Sequence, residues 1–290
     1  MKDLTLYIPT CNSYLFLVKP YTFLFNKFWN RQQKVVYLGY DKPKCDLPDN
    51  FDFITIGNDD DLKNWSSDLI NFFNSIDDEH FMISTDDSML VDYTNFDRYD
   101  KLSKFLENPK VGRINLTRDT VNRPHRGFDE VDGLKIIEAR QDASYRLSLL
   151  GPCIWRKDYW LKYLKPGVTP WEFEGQAGEV GKNDGYHILG TKGRDGPPDD
   201  APVYSTNVIW RSKKDRFNFH NSNYSYLNNG QNYLDPDVVK EMFDKNIIED
   251  DIEVGWVYES RWYTYLSPFL YDGGGTQPSP YILPDTYPRN

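Results

Sequence analysis

Two adjacent aspartates, Asp86 and Asp87, follow the apolar run at residues 81–83 and are the residues best suited to chemistry. Two carboxyl groups this close do not readily ionise together, because their negative charges repel each other unless a cation lies beside them. A hard divalent cation prefers oxygen ligands, and it would bring a diphosphate with it. Aspartate pairs are also common in turns and helix caps, so the pattern alone leaves a metal site and a structural turn both open.

A second acidic group opens a predicted helix at Thr169. Thr169 and Glu172 have the spacing of a capping box, and Pro170 occupies the first helical position. Glu172 therefore has a structural explanation, whereas Glu174 has none. Glu174 lies near the helix start, where the dipole favours a carboxylate that can take a proton from an attacking hydroxyl as general base. A surface glutamate at a helix start remains the alternative.

The histidines give a weaker indication of a functional site than the acidic residues do. The sequence has 4 His, and His220 lies in the polar, aromatic run RFNFHNSNY, where it is either a metal ligand that folds back on the site or an ordinary histidine. No sequence pattern of a serine triad, a Walker loop or a GxGxxG loop is present.

The elements that must position these residues alternate in the first half of the chain. We predict strands at residues 4–8, 34–38, 51–56 and 81–83, and helices at 20–29 and 62–76. Strand, helix, strand with short loops implies parallel pairing, and ligands bind beyond the carboxyl ends of such strands. The polar loops predicted to meet at that edge are residues 10–12, Asp41, residues 58–61 and Asp86–Asp87.

The rest of the chain has a weaker pattern. We predict short helices at residues 102–106 and 157–164, and strands at 111–116, 134–139, 145–155 and, as the last strand, 203–210. Residues 122–127 and 181–202 read as loops. A helix capped by Asp235 is predicted to run to residue 246, followed from residue 267 by a Gly- and Pro-rich tail that packs loosely.

Composition excludes several classes of protein. The chain has 290 residues, a net charge of −10 and no visible basic face, so no nucleic-acid partner is expected. Three scattered cysteines fit a reducing compartment. No signal peptide and no apolar run long enough for a membrane span is visible, so we expect a cytoplasmic protein. Aromatics at 16% suit either ring stacking or an aromatic core.

The strings TDDS and NWSSDL resemble the nucleotide-sugar half of GT-A glycosyltransferases. The string YRLSLLGPCIWRKDYWLKYLKPGVTPWEFE resembles a group of poorly characterised bacterial and viral glycosyltransferase-like proteins that carry DD and WEFE motifs. The resemblance covers roughly residues 3–180. It implies an α/β fold with a GT-A-like (Rossmann-like) mixed sheet flanked by helices, as a single main domain at residues 1–225. Residues 226–290 would form a C-terminal helical extension and a Pro/Gly-rich tail.

The resemblance also implies roles for individual residues. Asp86 and Asp87 match the Asp-x-Asp motif that holds Mn²⁺ or Mg²⁺ against the donor diphosphate. Ser88 departs from that motif at its third position, so metal affinity is weaker or the ligands include His220. Glu174, or second to it Glu172, matches the acceptor-side base of inverting enzymes. The nucleoside pocket would be lined by Thr10, Asn12, Asp41, Asp59 and Trp65.

The expected activity is therefore transfer of a sugar from a nucleoside-diphosphate sugar to a glycan hydroxyl. Trp155, Trp160 and Trp171 are candidates to stack on the acceptor sugar, with core packing as the equal alternative. Two other functions stay open. One is a glycan-binding protein on the same scaffold. The other is a sugar nucleotidyltransferase, which usually has a Gly-rich basic loop after the first strand, whereas residues 9–13 contain neither Gly nor Arg.

Overall fold

The computed structural model describes residues 4–192, 200–207, 216–220, 234, 236–248, 253–258 and 261–264. In the first part of the chain strands alternate with helices, as predicted. The elements are β1 (Leu6–Pro9), α1 (Val18–Phe28), β2 (Val35–Gly39), β3 (Phe51–Thr55), α2 (Asn64–Ser75) and β4 (His80–Ile83). A short 3-10 helix, Asn12–Leu17, leads into α1.

The later elements are shorter and include more antiparallel strands. They are β5 (Ser88–Leu90), α3 (Phe96–Ser103), β6 (Val111–Asn115), β7 (His125–Val131), β8 (Leu134–Ala139), β9 (Cys153–Arg156), α4 (Lys157–Tyr163), α5 (Pro170–Val180), β10 (His187–Thr191), β11 (Ser205–Asn207), β12 (Arg216–His220), α6 (Pro236–Asp244), β13 (Glu253–Tyr258) and β14 (Arg261–Thr264). Two further 3-10 turns cover Lys104–Glu107 and Arg118–Asn122.

In the described part of the chain the main sheet has 9 strands in the order β3-β2-β1-β4-β9-β6-β10-β8-β7. β1 pairs in parallel with β2 and with β4, and β2 pairs in parallel with β3, which confirms the predicted parallel half. β9 runs antiparallel to both β4 and β6, so the sheet is mixed. The edge where β1, β2 and β4 end is therefore the edge at which their polar loops meet.

The sheet is covered by helices on both faces because its strands alternate their apolar side chains. In β1, Leu6 and Ile8 pack into the cluster that contains side chains of α1, α3 and α6. Tyr7, which points the opposite way, packs into the cluster that contains side chains of α2, α4 and α5. The predicted α/β fold class, a mixed sheet flanked by helices, is confirmed.

Two predicted loops contain strands. β10 lies inside the predicted loop at residues 181–202, and it occupies the middle of the sheet between β6 and β8. β7 begins inside the predicted loop at residues 122–127 and pairs with β8. Both predictions failed because Gly, Asp, Lys and Arg residues in and around these strands interrupt the apolar pattern typical of a strand. The strand conformation depends on pairing with a partner in the sheet.

The opposite error occurs at residues 145–155, where only Cys153–Arg156 is a strand. Tyr145 has φ of 55°, outside the range that a strand can use. The carbonyls of Arg146 and Leu150 accept hydrogen bonds from the Arg113 guanidinium, at 3.1 and 3.0 Å, instead of from a neighbouring strand. A side chain distant in sequence thus replaces the partner that a strand would need.

Beyond residue 200 the prediction of a last strand at 203–210 is also wrong in part. β11 pairs with β5, and β12, β13 and β14 follow as a separate sheet. α6 packs its apolar face into the same cluster as α1, and Lys27 forms a 2.6 Å ion pair with Glu241. Pairing of β12 with β13 crosses the predicted boundary at residue 225, which stays a prediction. Asp235 and the tail from residue 267 lie outside the described residues.

No helix in the described ranges is both long enough and apolar enough to cross a membrane.

Candidate functional site

A pocket of about 180 Å³ opens at the carboxyl edge of β1, β2 and β4. The described residues that line it are Pro9, Thr10, Cys11, Tyr14, Tyr40, Asp59, Leu62, Trp65, Ile83, Ser84, Thr85, Asp86, Asp87, Leu149, Pro170 and Trp171. Its charged lining consists of three carboxylates, and the described lining includes no Lys, Arg or His. The lining is rich in aromatic side chains and in carboxylates, so a flat ring suits the former and a cation suits the latter.

Asn12 ties the loops at this edge together. Its backbone N–H donates to Asp59 Oδ2 at 2.8 Å, and its Nδ2 donates to Asp41 Oδ2 at 2.8 Å. In return Asp41 N–H donates to Asn12 Oδ1 at 2.9 Å. Neither Asn12 nor Asp41 lines the pocket. The sequence predicted that these loops meet. It did not show that Asn12 and Asp41 bond the loops to each other instead of lining the pocket.

Thr10, Asp59 and Trp65 all line this pocket, and their contact with a nucleoside stays a prediction. Trp65 is 8% exposed and packs its ring against Phe173 of α5, with ring centroids 6.2 Å apart. It therefore contributes to the core and to the pocket wall together.

Asp86 and Asp87 both line the pocket, and their electrostatics are unusual. Thr10 Oγ1 donates to Asp86 Oδ2 at 2.6 Å. Burial, followed by the neighbouring Asp87, raises the pKa of Asp86 to about 7. Burial also raises the pKa of Asp87. A buried carboxylate that lacks a counter-charge costs free energy, and a cation bound between Asp86 and Asp87 would remove that cost.

Ser88, at the third position of the motif, is committed elsewhere. It begins β5 and is buried, with Oγ donating to Gly151 O at 2.8 Å and lying 3.3 Å from Ser205 Oγ. The absence of an aspartate here thus has a structural reason. His220 ends β12, and its side chain lies outside the described residues, so its role as a ligand stays a prediction.

The donor set fits a divalent cation held partly by a substrate. In the described ranges no three His, Cys, Asp or Glu side chains come together as a complete metal site. Mg²⁺ needs fewer from the protein, because it is usually bound by one or two carboxylates together with phosphate oxygens and water. Asp86 and Asp87 can supply the protein's share, and the pocket above them is open to a phosphate.

The predicted capping box at the start of α5 is confirmed. Glu172 N–H donates to Thr169 Oγ1 at 3.2 Å, and Thr169 N–H donates to Glu172 Oε2 at 2.8 Å. These bonds to Thr169 lower the pKa of Glu172. The Glu172 carboxylate is thus engaged in fixing the helix start, which removes support for its role as a base.

Glu174 lies two residues further along α5 and is half-buried. Its Oε1 accepts the N–H of Leu149 at 2.6 Å, and the Leu149 side chain lines the pocket. Burial raises the pKa of Glu174, against the lowering effect of the Leu149 hydrogen bond. Glu174 itself does not line the pocket, but it is fixed to a residue that does.

A buried polar network behind Leu149 had no signal in the sequence. Arg113, at 1% exposure, donates to Ser148 Oγ at 3.2 Å as well as to the two carbonyls named above. Ser148 Oγ donates to Asp119 Oδ2 at 2.7 Å, and Asn115 Nδ2 donates to the same oxygen at 3.0 Å. Asp119 lies 3.6 Å from Arg113 and forms a 2.6 Å ion pair with Arg123, so its buried charge is compensated twice while Arg113 holds the segment that carries Leu149. Only the tertiary structure shows that these residues contact one another.

The three candidate tryptophans separate clearly. Trp155 and Trp160 are both 0% exposed and belong to the core cluster around α2 and α4. For these two the core-packing alternative is correct. Trp171 is 68% exposed and lies on the pocket wall.

No protein-family model matches the sequence, and no curated protein matches it significantly. Among solved structures, the bifunctional IspDF of Campylobacter jejuni aligns with a TM-score of 0.35 and 16% identity, covering 70% of this chain and 52% of that one. S. aureus TarS 1-349 in complex with UDP aligns with a TM-score of 0.39 and 12% identity, covering 65% and 57%. This chain thus spans little more than half of either.

A CMP:2-keto-3-deoxy-manno-octonic acid synthetase complexed with CTP aligns with a TM-score of 0.38 and 12% identity, covering 65% of this chain and 89% of that chain. All three TM-scores lie below 0.5, so these similarities say nothing about the activity of this chain.

Proposed function

We propose that this protein is a glycosyltransferase that moves a sugar from a nucleoside-diphosphate sugar to a glycan hydroxyl, with Mn²⁺ or Mg²⁺ on Asp86 and Asp87. The observation that carries the proposal is the composition of the pocket. Asp59, Asp86 and Asp87 face it, no cationic side chain among the described residues does, and its walls are aromatic. A diphosphate can enter such a pocket only with a cation, and the aromatic walls suit a flat base.

Each residue then has a defined task. Asp86 and Asp87 would hold the cation, which would supply positive charge for the departing nucleoside diphosphate. Asn12, in the loop after β1, holds the loops after β2 and β3 in place through Asp41 and Asp59. Tyr14, Tyr40 and Trp65 provide the wall against the nucleoside.

We propose Glu174 as the base that takes the proton from the acceptor hydroxyl, in an inverting reaction. Burial raises the pKa of Glu174 towards neutral pH, and a general base is most effective when its pKa lies near the working pH. To act, Glu174 must lie within hydrogen-bond reach of the acceptor hydroxyl, and the hydrogen bond from Leu149 N–H holds one carboxylate oxygen while the other stays available.

The test is calorimetric titration with UDP-, GDP- and CMP-sugars, in Mn²⁺ and in EDTA. We expect one donor to bind only with metal, and its affinity to fall at least about tenfold in Asp87→Asn, the loss that follows from removing about 1.4 kcal/mol. Asp49→Asn, an exposed aspartate off the pocket, is the matched control.

Two results would contradict the proposal and select an alternative. Binding of no donor under either condition would favour a glycan-binding protein on this scaffold. Tighter binding of a nucleoside triphosphate than of any sugar nucleotide would favour a sugar nucleotidyltransferase.

A further inference from the structure

Trp171 lines the pocket but is much more exposed than the other tryptophan of the lining, Trp65. Its ring is 68% exposed, whereas Trp65 on the same pocket is 8% exposed. Most large exposed apolar side chains need no explanation, but one on the wall of a pocket marks a surface that is ready to bind. Leu62, which is 44% exposed, also lines the pocket.

The indole is presented on a rigid support. Trp171 directly follows Pro170 at the start of α5, and the capping box of Thr169 and Glu172 fixes that start. The loop before it is attached to α2, because Val168 N–H donates to Ser66 Oγ at 2.9 Å. Little backbone entropy is therefore lost when a ligand packs against the ring.

Trp171 and Glu174 are three residues apart on α5. Side chains at this spacing are neighbours on a helix, with Cβ atoms about 5–6 Å apart. A sugar ring packed on Trp171 can therefore place a hydroxyl at the carboxylate of Glu174. Trp65 belongs to α2, and Tyr14 and Tyr40 belong to the segments after β1 and β2, whereas Trp171 is on the same helix as Glu174 and is therefore better placed for the second substrate.

We propose that Trp171 is the stacking platform for the acceptor, a pyranose whose C–H face packs on the indole while its hydroxyls stay in water or turn to Glu174. The apolar face gains from leaving water, and the indole offers a wide flat surface at small cost in conformational entropy. The proposal rests on the proposed function, because it assigns the acceptor side of that same site.

The first test is saturation-transfer NMR of methyl glycosides of glucose, galactose, mannose and N-acetylglucosamine, in EDTA and without donor. We expect at least one glycoside to receive saturation on the protons of one ring face. Its affinity should fall about tenfold or more in Trp171→Ala and be retained in Trp171→Phe. Val180→Ala, a 69% exposed residue at the other end of α5, is the matched control and should bind as wild type does.

Binding of no glycoside to the wild type, or equal binding to Trp171→Ala, overturns the proposal. The second test is donor titration of Trp171→Ala, in which the affinity for the donor should fall by a smaller factor than the affinity for the glycoside. A donor affinity reduced about tenfold with glycoside binding intact also overturns it, because the ring would then belong to the nucleoside. Since the glycoside experiment uses neither donor nor metal, failure of the transferase proposal gives a different pattern, in which glycosides bind and no donor does.

Discussion

Replacing Asp86 by Asn should stabilise the metal-free protein at high pH, although the change touches the centre of the site. Burial raises the pKa of Asp86 to about 7 in the folded protein, against 3.8 in an unstructured chain. Between those values the folded state binds a proton that the unfolded state has lost. Stability therefore falls as pH rises through this window, and the penalty is complete above a pH of about 7.

The structure sets the size of the effect. A difference of about three pKa units at 1.36 kcal/mol each gives an upper bound of about 4 kcal/mol. Asp86 faces an open pocket, so solvent screening reduces this, and we expect about 2 kcal/mol. Asn is neutral at every pH, and its amide oxygen can still accept the hydrogen bond of Thr10. The variant should exceed the wild type by about 2 kcal/mol at pH 8 and match it near pH 4.

Urea unfolding followed by circular dichroism in EDTA, at intervals from pH 4 to pH 8, measures this difference. Asp49→Asn is the control for loss of an exposed charge. A difference between wild type and Asp86→Asn that is the same at every pH would refute the reasoning, because the carboxyl would then not be desolvated. Adding Mn²⁺ should raise the stability of the wild type at pH 8 and not that of the variant.

Three further outcomes are expected. Thr169→Ala should destabilise the protein by about 1 kcal/mol through loss of the cap on α5, measured by urea unfolding, and no change in the midpoint would contradict the capping role. Arg113→Met should cost about 1–3 kcal/mol, because it leaves the carbonyls of Arg146 and Leu150 without their donor while Asp119 keeps its 2.6 Å ion pair with Arg123, and a midpoint equal to that of the wild type would show that these hydrogen bonds do not hold the network. Glu174→Gln should reduce sugar transfer about 10²–10⁴-fold while donor affinity stays unchanged. In the wild type the transfer rate should rise with pH as Glu174 loses its proton, at a pH above the usual range for Glu because burial raises its pKa; a rate profile that Glu174→Gln leaves unaltered would remove it as the base.

The parallel half of the sheet was predictable because local patterns there agree with the tertiary structure. Apolar runs such as residues 34–38 end in polar loops, and α2 has clear helical spacing. The antiparallel half was less predictable. β10 and the segment at 145–150 were each assigned the wrong conformation, since one gains its strand from β6 and β8 and the other loses it to Arg113.

The sequence by itself determined which loops meet at the site and which glutamate caps α5. Both follow from short-range rules: parallel strands end at one edge, and a capping box needs only three residues of spacing. Only the tertiary structure decided that Asn12 and Asp41 hold loops, that Trp155 and Trp160 are core while Trp171 is exposed, and that Leu149 joins Glu174 to the pocket. These depend on burial and on contacts between residues far apart in the chain, and neither residue type nor local spacing records those.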